Sequence, residues 1–189
     1  MASTLKINNL DTASGTTITV PAGKVLTAPG HVIQVVNAVK TDTASVSTTV
    51  PTFGDVGLQC SITPKFNNSK ILVQANVALG IDTSVFNNMR IVRSVGGGSF
   101  SMISAADSAS SRTAAHASIY DADNEGTVYM QDFIHLDSPS TTSAVIYKVQ
   151  IANSGGSVAI FVNRSGRDND SAGYDIRASS RIVLQEIAQ

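Results

Sequence analysis

The sequence predicts an all-β protein: an antiparallel, jelly-roll-like β-sandwich head over residues 31–189, preceded by a short extended β stem over residues 1–30. Three observations predict it. Apolar residues alternate with period two in short bursts, the connections between bursts are rich in Gly, Ser and Asn, and no stretch combines helical periodicity with bulky apolar side chains. At 189 residues the chain suits one main domain with an appendage.

The leader "LDTASGTTITVPAGKVLTAPG" (10–30) is Thr-, Ser- and Gly-rich, and its apolar residues are Leu10, Ile18, Val20, Val25 and Leu26. So few cannot offset a backbone entropy cost of roughly 1–2 kcal/mol per ordered residue. The segment is therefore disordered, or it buries Ile18, Val20, Val25 and Leu26 against something outside itself. The first strand follows in "HVIQVVNAV" (31–39), where Val32, Ile33, Val35 and Val36 are apolar on both faces, as inside a sandwich. "KTDTASVSTTVPT" (40–52) reads as an exposed crossing or loop. Weaker strands are expected at "VGLQCSIT", "FNNMRIVRS" and "SFSMIS".

In "KILVQANVALG" (70–80), Ile71, Val73, Ala75, Val77 and Leu79 face one way and Lys70, Gln74 and Asn76 the other, so one face is core and the other meets water or a partner. "TVYMQDFIHL" (127–136) sets Val128, Met130, Ile134 and Leu136 against Tyr129, Phe133 and His135, which predicts a central strand. "AVIYKVQI" groups Val145, Tyr147, Val149 and Ile151; "SVAIFV" groups Val158, Ile160 and Val162; "RIVLQEI" sets Ile182 and Leu184 against Val183 and Ile187. "SVGGGSF" (94–100) and "ANSGGSV" (152–158) read as hairpin loops, because Gly takes positive φ without steric cost. "SAADSASSRTAAHAS" (104–118) lacks a bulky anchor and reads as a long loop.

Composition narrows the chemistry. Charged residues are 14% of the chain, with thirteen basic against fourteen acidic. No cationic run suits a phosphate backbone, so no nucleic-acid partner is expected. Arg164, Arg167, Arg177 and Arg181 come nearest, but Asp168, Asp170 and Asp175 are threaded among them, as in a solvated loop. The lone Cys60 forms no intrachain disulfide and reads as a small buried apolar residue. "MASTLKINNL" lacks the features of a signal peptide, and no apolar run is long enough to span a bilayer, so a soluble product without membrane insertion is expected.

"DADNEGTVYMQD" (121–132) partly imitates a calcium loop, with Asp121, Asp123, Glu125 and Asp132 at positions one, three, five and twelve and Gly126 at six. Position twelve prefers Glu and the motif needs two flanking helices, so the competing reading is an acidic loop entering a strand. "DNDSAG" (168–173) is a shorter form of the pattern. Alternation puts Asp132 among apolar residues, where it needs water, a cation such as Arg90, or a subunit interface. His31, His116 and His135 have no metal-ligand spacing. The Asn-x-Ser matches at Asn67, Asn163 and Asn169 are what a Ser-rich chain yields by chance. No nucleophile elbow, phosphate loop or dinucleotide-binding turn is present, so neither catalysis nor a cofactor is expected.

"LKINNLDTASGTTITVPAGKVLTAPGHVIQVV" resembles segments in virion fibre proteins of tailed phages, in particular marine and cyanophage-like ones. The resemblance extends through "GDVGLQCSITPKFNNSKILVQANVALG", "LDSPSTTSAVIYKVQIANSGGSVAIFVNRS" and "SSRIVLQEIA". It implies a homotrimeric fibre or spike, made in the host cytoplasm and carried on the virion. Three stems would wrap a common axis, so that Ile18, Val20, Val25 and Leu26 find a core between copies. Residues 1–30 would seat the protein on tail or capsid, and the head would face a host glycan or protein. Because the chain begins almost at the stem, a separate fibre tip, a spike or a capsid decoration (head-fibre) protein is expected. A carbohydrate- or calcium-dependent binding module using loops 104–118, 121–127 and 164–176 is the alternative, disfavoured for sugars by 5% aromatic content without Trp. A depolymerase would need paired carboxylates across a groove.

Overall fold

The computed structural model describes residues 19–20, 22, 24–26, 28–81, 83–107, 109–120, 125–156 and 158–189. Eleven strands make two antiparallel sheets, with no helix among the described residues. Ile18 and residues 121–124 lie outside the described set.

Sheet A is organised by β4 (Lys70–Ile81). Its odd residues Ile71, Val73, Ala75, Val77 and Leu79 are all at most 1% exposed, as their alternation predicts. On one flank β4 pairs with β8 (Tyr129–Asp137). The other flank is shared end to end by β11 (Ser180–Ile187) and β10 (Ile160–Val162). Beyond them lie β1 (Val32–Lys40) on β11 and β2 (Ala44–Val46) on β10. Sheet B runs from β3 (Gly54–Ile62) through β9 (Val145–Asn153) to β5 (Phe86–Val95), whose far flank holds β6 (Ser101–Met102) and β7 (Ala117–Tyr120).

The core lies between the sheets. Ile71, Val73, Val77, Ile182, Leu184 and Ile160 from sheet A meet Val56, Leu58, Met89, Ile91, Tyr147, Val149 and Ile151 from sheet B, all nearly or wholly buried. Cys60 is a buried free thiol, and burial raises its pKa. At one end the Tyr147 hydroxyl donates to Asp137 Oδ2 at 2.7 Å and Arg93 Nη1 contacts both Asp137 oxygens at 2.7–2.8 Å, pinning β9 and β5 to β8 across the sandwich. Burial, then the Asp137 hydrogen bond, raises the Tyr147 pKa far above its ordinary value. Elsewhere the fully buried Glu186 accepts from Gln34 Nε2 (2.6 Å), Lys65 N (2.7 Å) and Phe66 N (3.3 Å), tying β11 to β1 and to the β3–β4 link.

Five expectations are corrected. β8 is an edge strand: among the described residues it pairs only with β4, and Met130, Ile134 and Leu136 stand 48%, 67% and 44% exposed. β1 is also an edge: among the described residues it pairs only with β11, and Val35 and Val39 are more than half exposed. Segment 152–158 is a crossover, since β9 lies in sheet B and β10 in sheet A. The side chain of buried Asn153 fixes that turn, accepting from Gly155 N and Thr49 Oγ1 and donating to Val158 O. The crossing at 40–52 contains β2, and the 104–118 loop runs into β7; both strands are short and are formed by pairing with β10 and β5.

Two glycines are required by geometry. A Cβ on Gly80 would stand 2.3 Å from the carbonyl oxygen of Arg164, which crosses β4 directly after β10. Gly57, at φ +79°, lies where the β3–β9 register shifts between Asp55 and Gln59. Asn163, directly after β10, takes a positive φ of 62° and is fully buried. Its Nδ2 donates to the carbonyls of Lys40 and Asp42, and its Oδ1 accepts from Ser180 Oγ at 2.6 Å.

Glu186→Gln keeps the shape but leaves one acceptor oxygen for three donors, so about 2 kcal/mol of unfolding free energy should be lost. Urea unfolding of the purified variant against the parent chain measures it; an unchanged midpoint and slope would remove Glu186 from the account of stability.

Candidate functional site

The two outer faces of the sandwich differ in chemistry. On sheet B, Asp55 accepts from Lys148 Nζ at 2.7 Å and Gln150 Nε2 at 2.6 Å, and Gln150 Oε1 accepts from Arg90 Nε at 2.9 Å. The Arg90 guanidinium lies 4.1 Å from the Phe53 ring centroid and the Lys148 ammonium 3.9 Å from that of Phe100. Burial works against the Asp55 carboxylate, but the Lys148 and Gln150 hydrogen bonds more than offset it and hold its pKa below the ordinary value. Arg90 thus serves sheet B and is not the partner of Asp132.

The outer face of sheet A is apolar-rich. Register sets Val35, Gln185, Leu72 and Leu136 in one row and Asn37, Val183, Gln74 and Ile134 in the next. A third row runs Val39, Arg181, Asn76 and Asp132. Gln74, Asn76, Asp132, Ile134 and Val183 border a shallow hollow of about 270 Å³ on this face. Asp132 accepts a hydrogen bond from Asn76 Nδ2 and makes no ion pair among the described residues. The side chain of Arg181, also exposed, makes neither a hydrogen bond nor an ion pair among them. The sequence puts Lys70, Gln74 and Asn76 on a side that meets water or a partner; that β8 and β1 flank it as edge strands is what sequence reasoning did not show. A signal was present, in the apolar residues on both sides of the strands at 31–39 and 127–136.

Val20, Val25 and Leu26 of the leader are 42%, 43% and 57% exposed, so the chain's own sandwich does not cover them. The leader joins the sandwich where Gly30 N donates to Ala188 O and Ala188 N to His31 O, both at 2.9 Å.

Of the calcium-like set, Asp121 and Asp123 lie outside the described residues. Glu125 sits in a turn whose carbonyl accepts from Arg167 N at 3.2 Å, and Asp132 lies on the outer face of β8. Among the described residues no group of three or more His, Cys, Asp and Glu side chains could hold a metal ion. Loop 164–177 neutralises itself: Arg167 pairs with Asp175, and Arg177 and Arg164 with Asp168. Ser165 and Arg167 hold the Asp175 carboxyl below its ordinary pKa.

His116 wedges loop 104–116 against β5. Its Nδ1 accepts from Ile91 N at 2.9 Å, so Nε2 carries the proton and donates to Ile103 O at 2.6 Å. The ring packs on Phe133 with centroids 4.4 Å apart. Burial, outweighing the hydrogen bonds to backbone carbonyls, lowers its pKa.

No family model and no curated protein sequence matches the chain. Solved structures do. The structure of the infectious bursal disease virus Gx strain covers 92% of this chain at 11% identity and a TM-score of 0.45. Particles derived from infectious bursal virus (T=1) cover 92% at 12% identity and 0.42, and the VP2 subviral particle of infectious bursal disease virus covers 82% at 9% identity and 0.38. This chain spans 38–41% of the chains it matches. Likeness at that level says nothing of what this chain binds or builds.

The lowered His116 pKa carries a pH dependence. The unfolded ring takes up a proton near pH 6.5 and the folded ring only below that, so this contribution is intact above about 6.5 and is lost as pH falls through the folded value. The melting temperature should drop between pH 7.5 and 5.5, and H116Q should flatten that drop. Parallel curves for the two proteins would assign it to other groups.

Proposed function

We propose that the protein is a non-enzymatic structural component of a virion, a homotrimeric fibre or spike whose sandwich faces outward and whose residues 1–30 seat it on the particle. The observation that carries this reading is the exposure of Val20, Val25 and Leu26 beside a sandwich whose core is already complete without them. A leader that leaves its apolar residues uncovered has surface to offer other chains, and three copies around one axis supply it. The resemblance of "LKINNLDTASGTTITVPAGKVLTAPGHVIQVV" to phage fibre stems supports the same reading. The outer face of sheet B, whose Asp55, Lys148, Gln150 and Arg90 satisfy one another and whose exposed Phe86, Phe100 and Tyr120 pair with Lys148 or each other, suits the solvent side of such an assembly.

Sedimentation equilibrium should give a particle three times the mass of the 19.6 kDa chain. The protein should be found in purified virions, and cryo-EM density would place it on tail or capsid. A chain lacking residues 1–30 should fold with a cooperative melt yet fail to join the particle. Normal incorporation of the shortened chain would show that the leader is not the attachment element, and absence of the protein from virions would end the reading.

A further inference from the structure

The leader gives each copy one contact; the geometry points to a second, in which the outer face of sheet A packs against the same face of a neighbouring copy. This rests on the proposed self-assembly and names the head surface that takes part. The face spans β1, β11, β4 and β8, about 19 Å at a strand spacing of about 4.8 Å, and about 25 Å along the strands. That is roughly 500 Å² as a plane and more as accessible surface; divided between two neighbours in a ring, each contact takes about half of it, less than the ~800 Å² per partner of a standard interface, so it acts together with the leader contact. Across it stand Val35, Val39, Met130, Ile134 and Leu136, each 44–67% exposed, with Leu72 and Val183 half-buried between them. The aromatics exposed on the sheet B side, Phe86, Phe100 and Tyr120, have partners within the chain, whereas these aliphatic residues have none among the described residues, and an apolar group of this extent marks a surface that is covered in the working protein.

The charges on the face select the occupant. Arg181 and Asp132 lie in one cross-strand row, separated by Asn76, and neither has an ion-pair partner among the described residues. Among the described residues Lys70, at the start of β4, is a further cation of this face without an ion pair; Arg181 and Asp132, two strands apart in one row, are the pair of opposite sign that lets the face complement a copy of itself. In a three-fold ring the β8 side of each face meets the β1–β11 side of the next. Asp132 of one copy then reaches Arg181 of its neighbour, and Ile134 and Leu136 lie against Val35 and Val39. The contact is head-to-tail and closes after three copies.

Ile134→Glu tests it on the full chain. Ile134 is 67% exposed in the single chain, so the melting of the lone sandwich should not change, while the concentration at which the trimer dissociates should rise at least tenfold. Gln59→Glu, on the outer face of sheet B, should leave that concentration as it was. R181D and D132R should each weaken the trimer and the double variant R181D/D132R should restore it, an outcome a merely local disturbance of β8 or β11 would not give. A wild-type trimer unmoved by Ile134→Glu overturns the proposal, whether the face is covered by its own leader or by a different protein, and leaves the assembly reading standing. A wild-type chain that stays monomeric at all concentrations overturns both.

Discussion

Twelve consecutive residues of β4 place one dry row of side chains in the core, and each flank of that strand needs a backbone partner for its whole length. The rest of the topology answers this requirement. β8 serves one flank; the other is too long for β11 alone, so β10 completes it over Leu79–Ile81. To reach that place the chain must leave sheet B after β9 and cross to sheet A, and Asn153 forms the turn. Having paired, it must cross β4 again, which is why position 80 has no side chain and why Asn163 is buried with its amide fully used.

Alternation made most of this legible. The nine strands expected from period-two bursts all exist, because a strand half in and half out of a core writes that fact into every second residue. The β2 and β7 strands, ASV and ASIY, were invisible because neither carries a run of alternating bulky apolar residues; pairing with β10 and β5 makes them strands. The 152–158 segment was misread because Asn, Ser and Gly turn the chain equally well toward a hairpin or toward the other sheet; the outcome depends on Thr48 and Thr49, which grip Asn153 from a hundred residues upstream. Glu186 gave no signal, since its donors are two backbone amides and a glutamine.

The misreading of β8 and β1 has a more informative cause. Residues apolar on both faces of a strand signal that both faces are covered, and say nothing about whose atoms cover them. For the inward residues of β4 and β9 the cover is the same chain. For Ile134, Leu136, Val35 and Val39 it is not, and the sandwich closes without them. The exposed leader residues Val20, Val25 and Leu26 pose the same question just ahead of β1. Of the candidate metal set, only Glu125 and Asp132 fall where they can be followed, and they serve different neighbourhoods of the fold.

The ladder between β1 and β11 begins at the mouth where Gly30 and His31 bond to Ala188. Antiparallel hydrogen bonds run perpendicular to the strands, so a pull separating residue 30 from residue 188 loads that ladder one rung at a time, like a zipper opened from its end. A pull on the leader resisted by the far end of the sandwich draws β1 lengthwise and loads all its rungs together. The same joint therefore yields to a force that splays its two tails and holds against one that drags the body along its anchor.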